Sequence, residues 1–171
     1  MTKEDQTSHL LSANARPDVS GATLNPFVVV EGAADFIEFI VEVLGGVEVV
    51  EARAPMPDGR LIHGEIIVGD AHLLMADRLD GWPQHPGLLQ VWVDDVAATL
   101  DDAIAAGARI VTPAIPFWAE TSVGRMVDPW DNLWWLFSPA PGQPDPLPPW
   151  EGGDSTVFDT IDAEMRSRSS H

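Results

Sequence analysis

Apolar and polar positions along this chain fall into one order of elements, written twice. Leu24–Val30 alternates Asn25, Phe27 and Val29 against Pro26, Val28 and Val30, the period-two pattern of a strand. Phe36, Ile37, Ile40, Val41 and Leu44 follow at the i, i+3, i+4 spacing that predicts an amphipathic helix over 33–44. Gly45-Gly46 ends it, since glycine tolerates the left-handed cap. Strands are predicted over 47–54, 60–68 and 71–76, with turns at Met56-Pro57-Asp58-Gly59 and at Gly69-Asp70. After a Gly/Pro loop over 77–87 the order returns. Leu88–Val93 predicts a strand, and 96–106 a helix introduced by Asp94-Asp95 as a cap. Gly107 closes the helix and 109–112 forms the next strand.

The strongest local signal is a hairpin of Gly124–Val127 and Leu133–Phe137. Its corner carries Asp128, Pro129, Asp131 and Asn132, residues that preset or tolerate turn dihedrals. Leu133, Trp135 and Phe137 lie on one face of the second strand, Trp134 and Leu136 on the other. A strand apolar on both faces is covered on both, and a pocket is expected on one of them.

Sixty-two residues separate Gly45 from Gly107, and sixty-one separate Leu74 from Trp135. The chain therefore reads as two strand–helix–strand–strand–strand modules, 24–77 and 88–138. Neither half can bury both its helix face and its sheet face alone, so the two must pack together. Residues 1–22 are polar and aperiodic, the pattern of a flexible tail. From 139 a Pro-rich spacer leads to a short helix, capped by Asp154-Ser155 and running to about Arg168. Its Val157, Ile161 and Met165, at i, i+4, i+8, form an apolar stripe expected to dock on the domain or on a second subunit.

Composition narrows the function. Nine basic against twenty-seven acidic residues leave a net charge of −18, which repels nucleic-acid phosphates. No apolar run reaches the roughly 18 residues a membrane helix needs, and the N-terminus lacks an apolar signal core, so a cytoplasmic protein is expected. The chain has no cysteine, which removes disulfides, thiolate ligands and a cysteine nucleophile. No G-x-G-x-x-G, P-loop, G-x-S-x-G or H-E-x-x-H motif is present.

The paired order resembles the vicinal oxygen chelate superfamily, which includes glyoxalase I, bleomycin-binding proteins and ring-cleaving dioxygenases, and within it the PhnB-type branch. The stretches that carry the resemblance are F-I-E-F-I-V-E-V-L-G-G at 36–46, P-D-G-R-L-I-H-G-E-I at 57–66, V-D-D-V at 93–96 and A-A-G-A at 105–108. The last is F-W-A-E-T-S-V-G-R-M-V-D-P-W-D-N-L-W-W at 117–135. One departure is Asp131, where the family usually has glycine; another is Ile40, where its first helix often has tyrosine. The resemblance implies an α+β fold of paired βαβββ modules over 23–138, forming a curved, cavity-enclosing mixed sheet. It also implies a homodimer.

Metal-binding members place four ligands on the inner sheet face, and those positions correspond here to Asn25, Leu74, Leu88 and Trp135. Metals need imidazole, carboxylate or thiolate donors, so neither a metal nor another cofactor is expected. If these four positions face inward, alternation brings Phe27, Val29, His72, Ala76, Gln90, Trp92, Leu133 and Phe137 in with them. By the same logic His63 and Glu65 look into the cavity. Apolar walls with sparse polar groups describe a small-molecule site. Phe27, His72, Leu74, Gln90, Trp92, Trp135 and Phe137 are its candidate ligand contacts, with Glu120 at the mouth. The leading expectation is a metal-free binder of an apolar or aromatic ligand. One alternative is a metal-free isomerase, cyclase or lyase using Glu65 and His63 as acid and base on a carbonyl compound. The other is a metal-dependent glyoxalase or dioxygenase-type enzyme with ligands such as His63, Glu65 and His72.

Overall fold

The computed structural model describes residues 22–139, 152 and 154–168, the side chain of Glu120 excepted. The tail expected over 1–22 (but for its last residue), most of the Pro-rich spacer and Trp150 lie outside the described residues. The first module runs β1 (Phe27–Val30), α1 (Ala33–Leu44), β2 (Val47–Glu48), β3 (Ala54–Pro55), β4 (Leu61–Val68) and β5 (Ala71–Asp77). The second runs β6 (Leu88–Trp92), α2 (Val96–Ala105), β7 (Arg109–Pro116), β8 (Ser122–Val127) and β9 (Leu133–Ser138), followed by α3 (Ser155–Arg168). Each module builds one mixed sheet, in the orders β1-β5-β4-β2, with β3 also on β4, and β6-β9-β8-β7. β1 runs parallel to β5, as β6 does to β9. This is the expected α+β class with paired βαβββ order.

Three elements differ from the sequence expectation. β1 begins only at Phe27, because Asn25 turns back and exchanges two hydrogen bonds with the backbone of Ala22. The strand expected over 47–54 is split into β2 and β3 by a 3-10 turn at Val50–Ala52. Val47 and Val50 are about two-thirds exposed, so no buried face holds that stretch extended. β7 extends through Pro113 to Pro116. It is an edge strand with two register shifts, where a missing N–H breaks no ladder bond.

One core joins the modules. It takes Phe36, Ile37 and Ile40 from α1, Leu100 and Ala103 from α2, and the helix-side residues Val28, Met75, Met126, Trp134 and Leu136 of both sheets. The helices approach the central strands closely at two glycines. A Cβ at Gly64 would stand 3.2 Å from Ile37 Cδ1, and one at Gly124 would stand 2.6 Å from Val96 Cγ1 and 2.9 Å from Leu100 Cδ1. Trp130 packs edge-on against Phe36 and Phe39 at 5.1 and 5.7 Å. Its indole N–H donates to the Glu31 carbonyl at 2.7 Å, so the second module's hairpin is pinned to the first module's helix. Among the described residues no helix is long and apolar enough to cross a membrane.

α3 lies across β7 and β8, on the face of the second sheet turned away from α2. Of the Val157/Ile161/Met165 stripe, only Val157 is buried against the domain. Val157 is buried and Met165 is 47% exposed, and Val157, Thr160, Glu164 and Arg168 bond to the domain. The surface beneath offers Thr112 and Arg125, so the helix turns a largely polar side toward it.

Candidate functional site

The face of each sheet opposite the helix core is its inner face. On the first sheet, strand register sets Phe27, Leu74 and Glu65 in one row. Glu65 is 1% exposed. Its Oε1 shares a hydrogen bond with Nδ1 of His72, and its Oε2 stands 4.0 Å from Nε2 of His63. The Phe27 ring lies 6.2 Å from the His63 ring and is half exposed. The structure thus brings together five of the residues expected at the site: Glu65, His63, His72, Phe27 and Leu74. A buried carboxylate between two imidazoles, flanked by an open aromatic ring, can orient a hydroxyl or carbonyl group and exchange a proton with it.

On the second sheet the corresponding row is Gln90, Trp135 and Arg125. Arg125 is the residue that sequence reasoning missed. The available signal was the hairpin register: once the Asp128–Asn132 corner is set, alternation places Arg125 beside Trp135. The Arg125 guanidinium carbon sits 3.8 Å over the Trp135 ring, and the residue is 1% exposed. Its Nη1 donates to Thr112 Oγ1 at 3.0 Å and to the Val157 carbonyl of α3 at 2.7 Å. Among the described residues, Nε of Arg125 and Nε1 of Trp135 have no partner. Burial pushes the guanidinium down to about 10, so it is charged at neutral pH. Phe137 is buried beside Phe117, Trp135 and Trp92, while Gln90 and Trp92 stand exposed on the outer strand β6. Glu120 falls in a 3-10 turn at Trp118–Glu120; its side chain lies outside the described residues.

A cavity of about 570 Å³ opens in the cleft between the modules. Val43, Leu44, Leu89, Val91 and Trp134 line its floor, and Asp70, Asp94 and Asp102 line it with acidic groups. Of the expected contacts, His72, Gln90 and Trp92 line it; Phe27, Leu74, Trp135 and Phe137 do not. His72 therefore touches both this cleft and Glu65.

The hairpin corner has its own buried carboxylate. Asp128 accepts from the backbone of Trp130 and Asn132, from the Asn132 amide and from the Trp134 indole, all within 2.8–2.9 Å. Desolvation raises its pKa, against the pull of those donors. Asp131 takes a left-handed φ of 69°, a conformation that favours glycine and that aspartate is one of the few other residues to adopt. Its carboxylate meets Arg168 of α3 at 3.2 Å.

The donors for a metal are wrong at the four family positions. Leu74 and Leu88 offer none, Trp135 only an N–H, and the Asn25 amide is engaged with Ala22. No group of three or more His, Asp or Glu side chains among the described residues is arranged to hold a metal ion. A metal at those positions does not fit this chain.

The sequence profile of the Glyoxalase/Bleomycin resistance protein/Dioxygenase superfamily matches residues 23–136. An uncharacterized protein of Mycobacterium tuberculosis is 29% identical over 149 residues, covering 78% of this chain and 81% of its own length. The crystal structure of a Pseudomonas aeruginosa protein superposes with a TM-score of 0.56 at 22% identity, over 67% of this chain and 96% of that one. A PhnB protein from Bacillus cereus does so with a TM-score of 0.54 at 15% identity, over 69% and 100%.

Proposed function

Because the chain belongs to the Glyoxalase/Bleomycin resistance protein/Dioxygenase superfamily, we propose that it binds a small organic molecule against the inner face of its first sheet. The observation that carries this is the buried Glu65 carboxylate hydrogen-bonded to His72, with His63 beside it and the half-exposed Phe27 ring above the same face. Buried polar groups aimed at an open apolar surface orient a ligand, and the apolar surface supplies affinity. The donor chemistry at the four metal positions favours a metal-free function, as in the drug-sequestering members of the superfamily. Exposed Phe27, Leu88 and Trp92 on the outer strands β1 and β6 suit a second copy of the chain, so a homodimer that completes the site is part of this reading. The order and spacing of the motifs over 36–135 support a reading within the PhnB-like branch.

The second reading is catalytic. The Glu65–His72 hydrogen bond gives the carboxylate a proton-carrying neighbour, which suits an isomerase or lyase acting next to a carbonyl. Both readings are tested by a thermal-shift screen of small aromatic and carbonyl compounds. Compounds that stabilise the wild type should bind about tenfold more weakly to Phe27→Ala, the cost of losing one aromatic wall. If binding survives in Glu65→Gln while turnover disappears, the protein is an acid–base enzyme; if Glu65→Gln loses affinity and no turnover is found, it is a binder. Hits whose affinity is indifferent to both variants would place the ligand elsewhere.

A further inference from the structure

We propose that Arg125 and Trp135 form a second binding site, for the carboxylate of a small apolar acid, and that helix α3 occupies this site and yields to the ligand. The proposal rests on the reading that this fold binds small molecules on its inner faces, but it concerns the second sheet and not the first.

The chain carries twenty-seven acidic residues, yet none of those among the described residues meets the buried Arg125. Its neighbours from β7, β9 and α3 are the Thr112 hydroxyl, the Trp135 ring and the Val157 carbonyl. Of the three acidic groups of α3, Glu164 pairs with Arg109 and Arg168, Asp162 pairs with Arg166, and Asp159 is exposed. A buried charge without a counter-charge costs several kcal/mol. Two N–H donors, Arg125 Nε and Trp135 Nε1, are also buried without partners among the described residues. A carboxylate supplies both the counter-charge and acceptor oxygens for such donors, because it is a planar acceptor that guanidinium binds in two-point fashion. The surroundings are apolar, with Val123, Phe137 and Val157 in one buried cluster and Phe117 packed against it. They fit the hydrocarbon part of an acid better than a free inorganic anion.

α3 now fills that place. The Val157 carbonyl supplies Arg125 with a neutral acceptor, and the Val157 side chain fills the apolar cluster. The helix is held weakly for its fourteen residues. Val157 is its one fully buried apolar side chain among those described. Its described ties also include the Thr112–Thr160 hydroxyl pair, the Arg168 bond to the Asp131 carbonyl and the Glu164 ion pairs, with the half-exposed Asp131–Arg168 pair contributing about 0–1 kcal/mol. A ligand that replaces a neutral acceptor with a charged one therefore shifts the helix from docked to undocked.

Benzoate is a suitable probe, with benzyl alcohol as its uncharged counterpart, titrated calorimetrically into the full chain at millimolar concentration. The wild type should prefer benzoate. Arg125→Met should weaken benzoate at least about tenfold without weakening the alcohol. Trp135→Phe, which keeps a ring but loses the donor, should weaken it about threefold. Glu164→Ala, which frees α3, should tighten it. Benzoate should also speed amide exchange across 157–168 in the wild type and leave it unchanged in Arg125→Met. Equal affinity of the wild type and Arg125→Met, no binding even to Glu164→Ala, or slowed exchange in α3 would each overturn the proposal. Phe27→Ala and Glu65→Gln separate it from the first-sheet site, since they should leave benzoate affinity intact. If they abolish it while Arg125→Met does not, the first-sheet reading stands and this one falls.

Discussion

The two inner faces start from one plan and end in opposite states. On each central strand a glycine lies under the helix and a charged residue follows it: Gly64-Glu65 in the first module, Gly124-Arg125 in the second. Glu65 pairs across the ladder with Leu74, and Arg125 with Trp135. The helix side is the same in both because a helix can approach the sheet only where no Cβ intervenes. The inner side is free of that constraint. One module carries a carboxylate with imidazole partners beneath an open face; the other carries a guanidinium with neutral partners beneath a helix. Packing fixes what the modules share, and the unshared face is where chemistry differs.

The glycine pair gives the largest expected effect. At Gly124 a new methyl meets Val96 Cγ1 at 2.6 Å and Leu100 Cδ1 at 2.9 Å, and the Thr112 carbonyl stands 3.4 Å away. Val96 has one preferred rotamer in a helix and cannot easily retreat. At Gly64 the nearest atoms are the far end of Ile37 and the flexible Met75, at 3.2 and 3.3 Å. Gly124→Ala should cost about 3 kcal/mol and Gly64→Ala about 1, the upper and lower ends of overpacking costs. Urea denaturation would measure both. Equal costs would mean that α2 slides where α1 does not.

Next come the charged residues themselves. His72→Leu removes the hydrogen-bond partner of a buried carboxylate and should cost about 2 kcal/mol. Arg125→Met removes a buried charge that has no counter-ion among the described residues, so its stability should change by less than about 1 kcal/mol in either direction. If Arg125→Met were the more damaging, the guanidinium would be a structural post and not a waiting site.

The turns differ too. The first module's corresponding hairpin turns tightly at Gly69, with φ 61°, whereas the second wraps its corner around Asp128. Asp128→Asn sets an amide N–H₂ against donors that now meet an oxygen, and should cost about 1.5 kcal/mol. The pH sign follows from the raised carboxyl pKa. Between the ordinary carboxylate pKa and the higher folded value, the folded state binds more protons than the unfolded one. Wild type therefore gains stability from this group as pH falls into that window. The variant has no such gain, so its deficit should widen between pH 7 and pH 4 in paired denaturation curves.

The sequence revealed what periodicity and alternation govern. α1 was legible to the residue because its apolar stripe ends at Gly45, and the start of α2 because Asp95 caps Ala97 and Ala98, the helix ending one residue before the expected 106. Alternation along β4 put His63 and Glu65 on one face with His72 and Phe27. Three things were hidden, each because it depends on a surface the local pattern does not contain. The split of 47–54 follows from the absence of a covering face. The polar docking side of α3 follows from Thr112 and Arg125 beneath it. The cleft of about 570 Å³ follows from how the modules pack, which no single element records. Arg125 escaped because inward positions were assigned on β9 and not carried across the hairpin to β8.

The smallest effect, and the sharpest on the comparison, lies at Asp131. Its left-handed backbone favours glycine, so Asp131→Gly relieves local strain of a few tenths of a kcal/mol to about 1. The same change deletes the 3.2 Å ion pair to Arg168, whose Asp131 carboxylate is half exposed and which is worth about 0–1 kcal/mol. The two terms offset, and global stability should stay within about 0.5 kcal/mol of wild type. The consequence should be local. Arg168 keeps its bond to the Asp131 carbonyl at 2.9 Å but loses the charged tether, so amide exchange in 157–168 should quicken severalfold while the amides of α1 and α2 are unchanged. Faster exchange in all three helices would mean that α3 belongs to the core and that the two inner faces are covered and open for different reasons than those argued. Unchanged exchange in α3 would make Asp131 a surface residue of the corner, and the second face would then be closed by Val157, Thr160 and Glu164 alone.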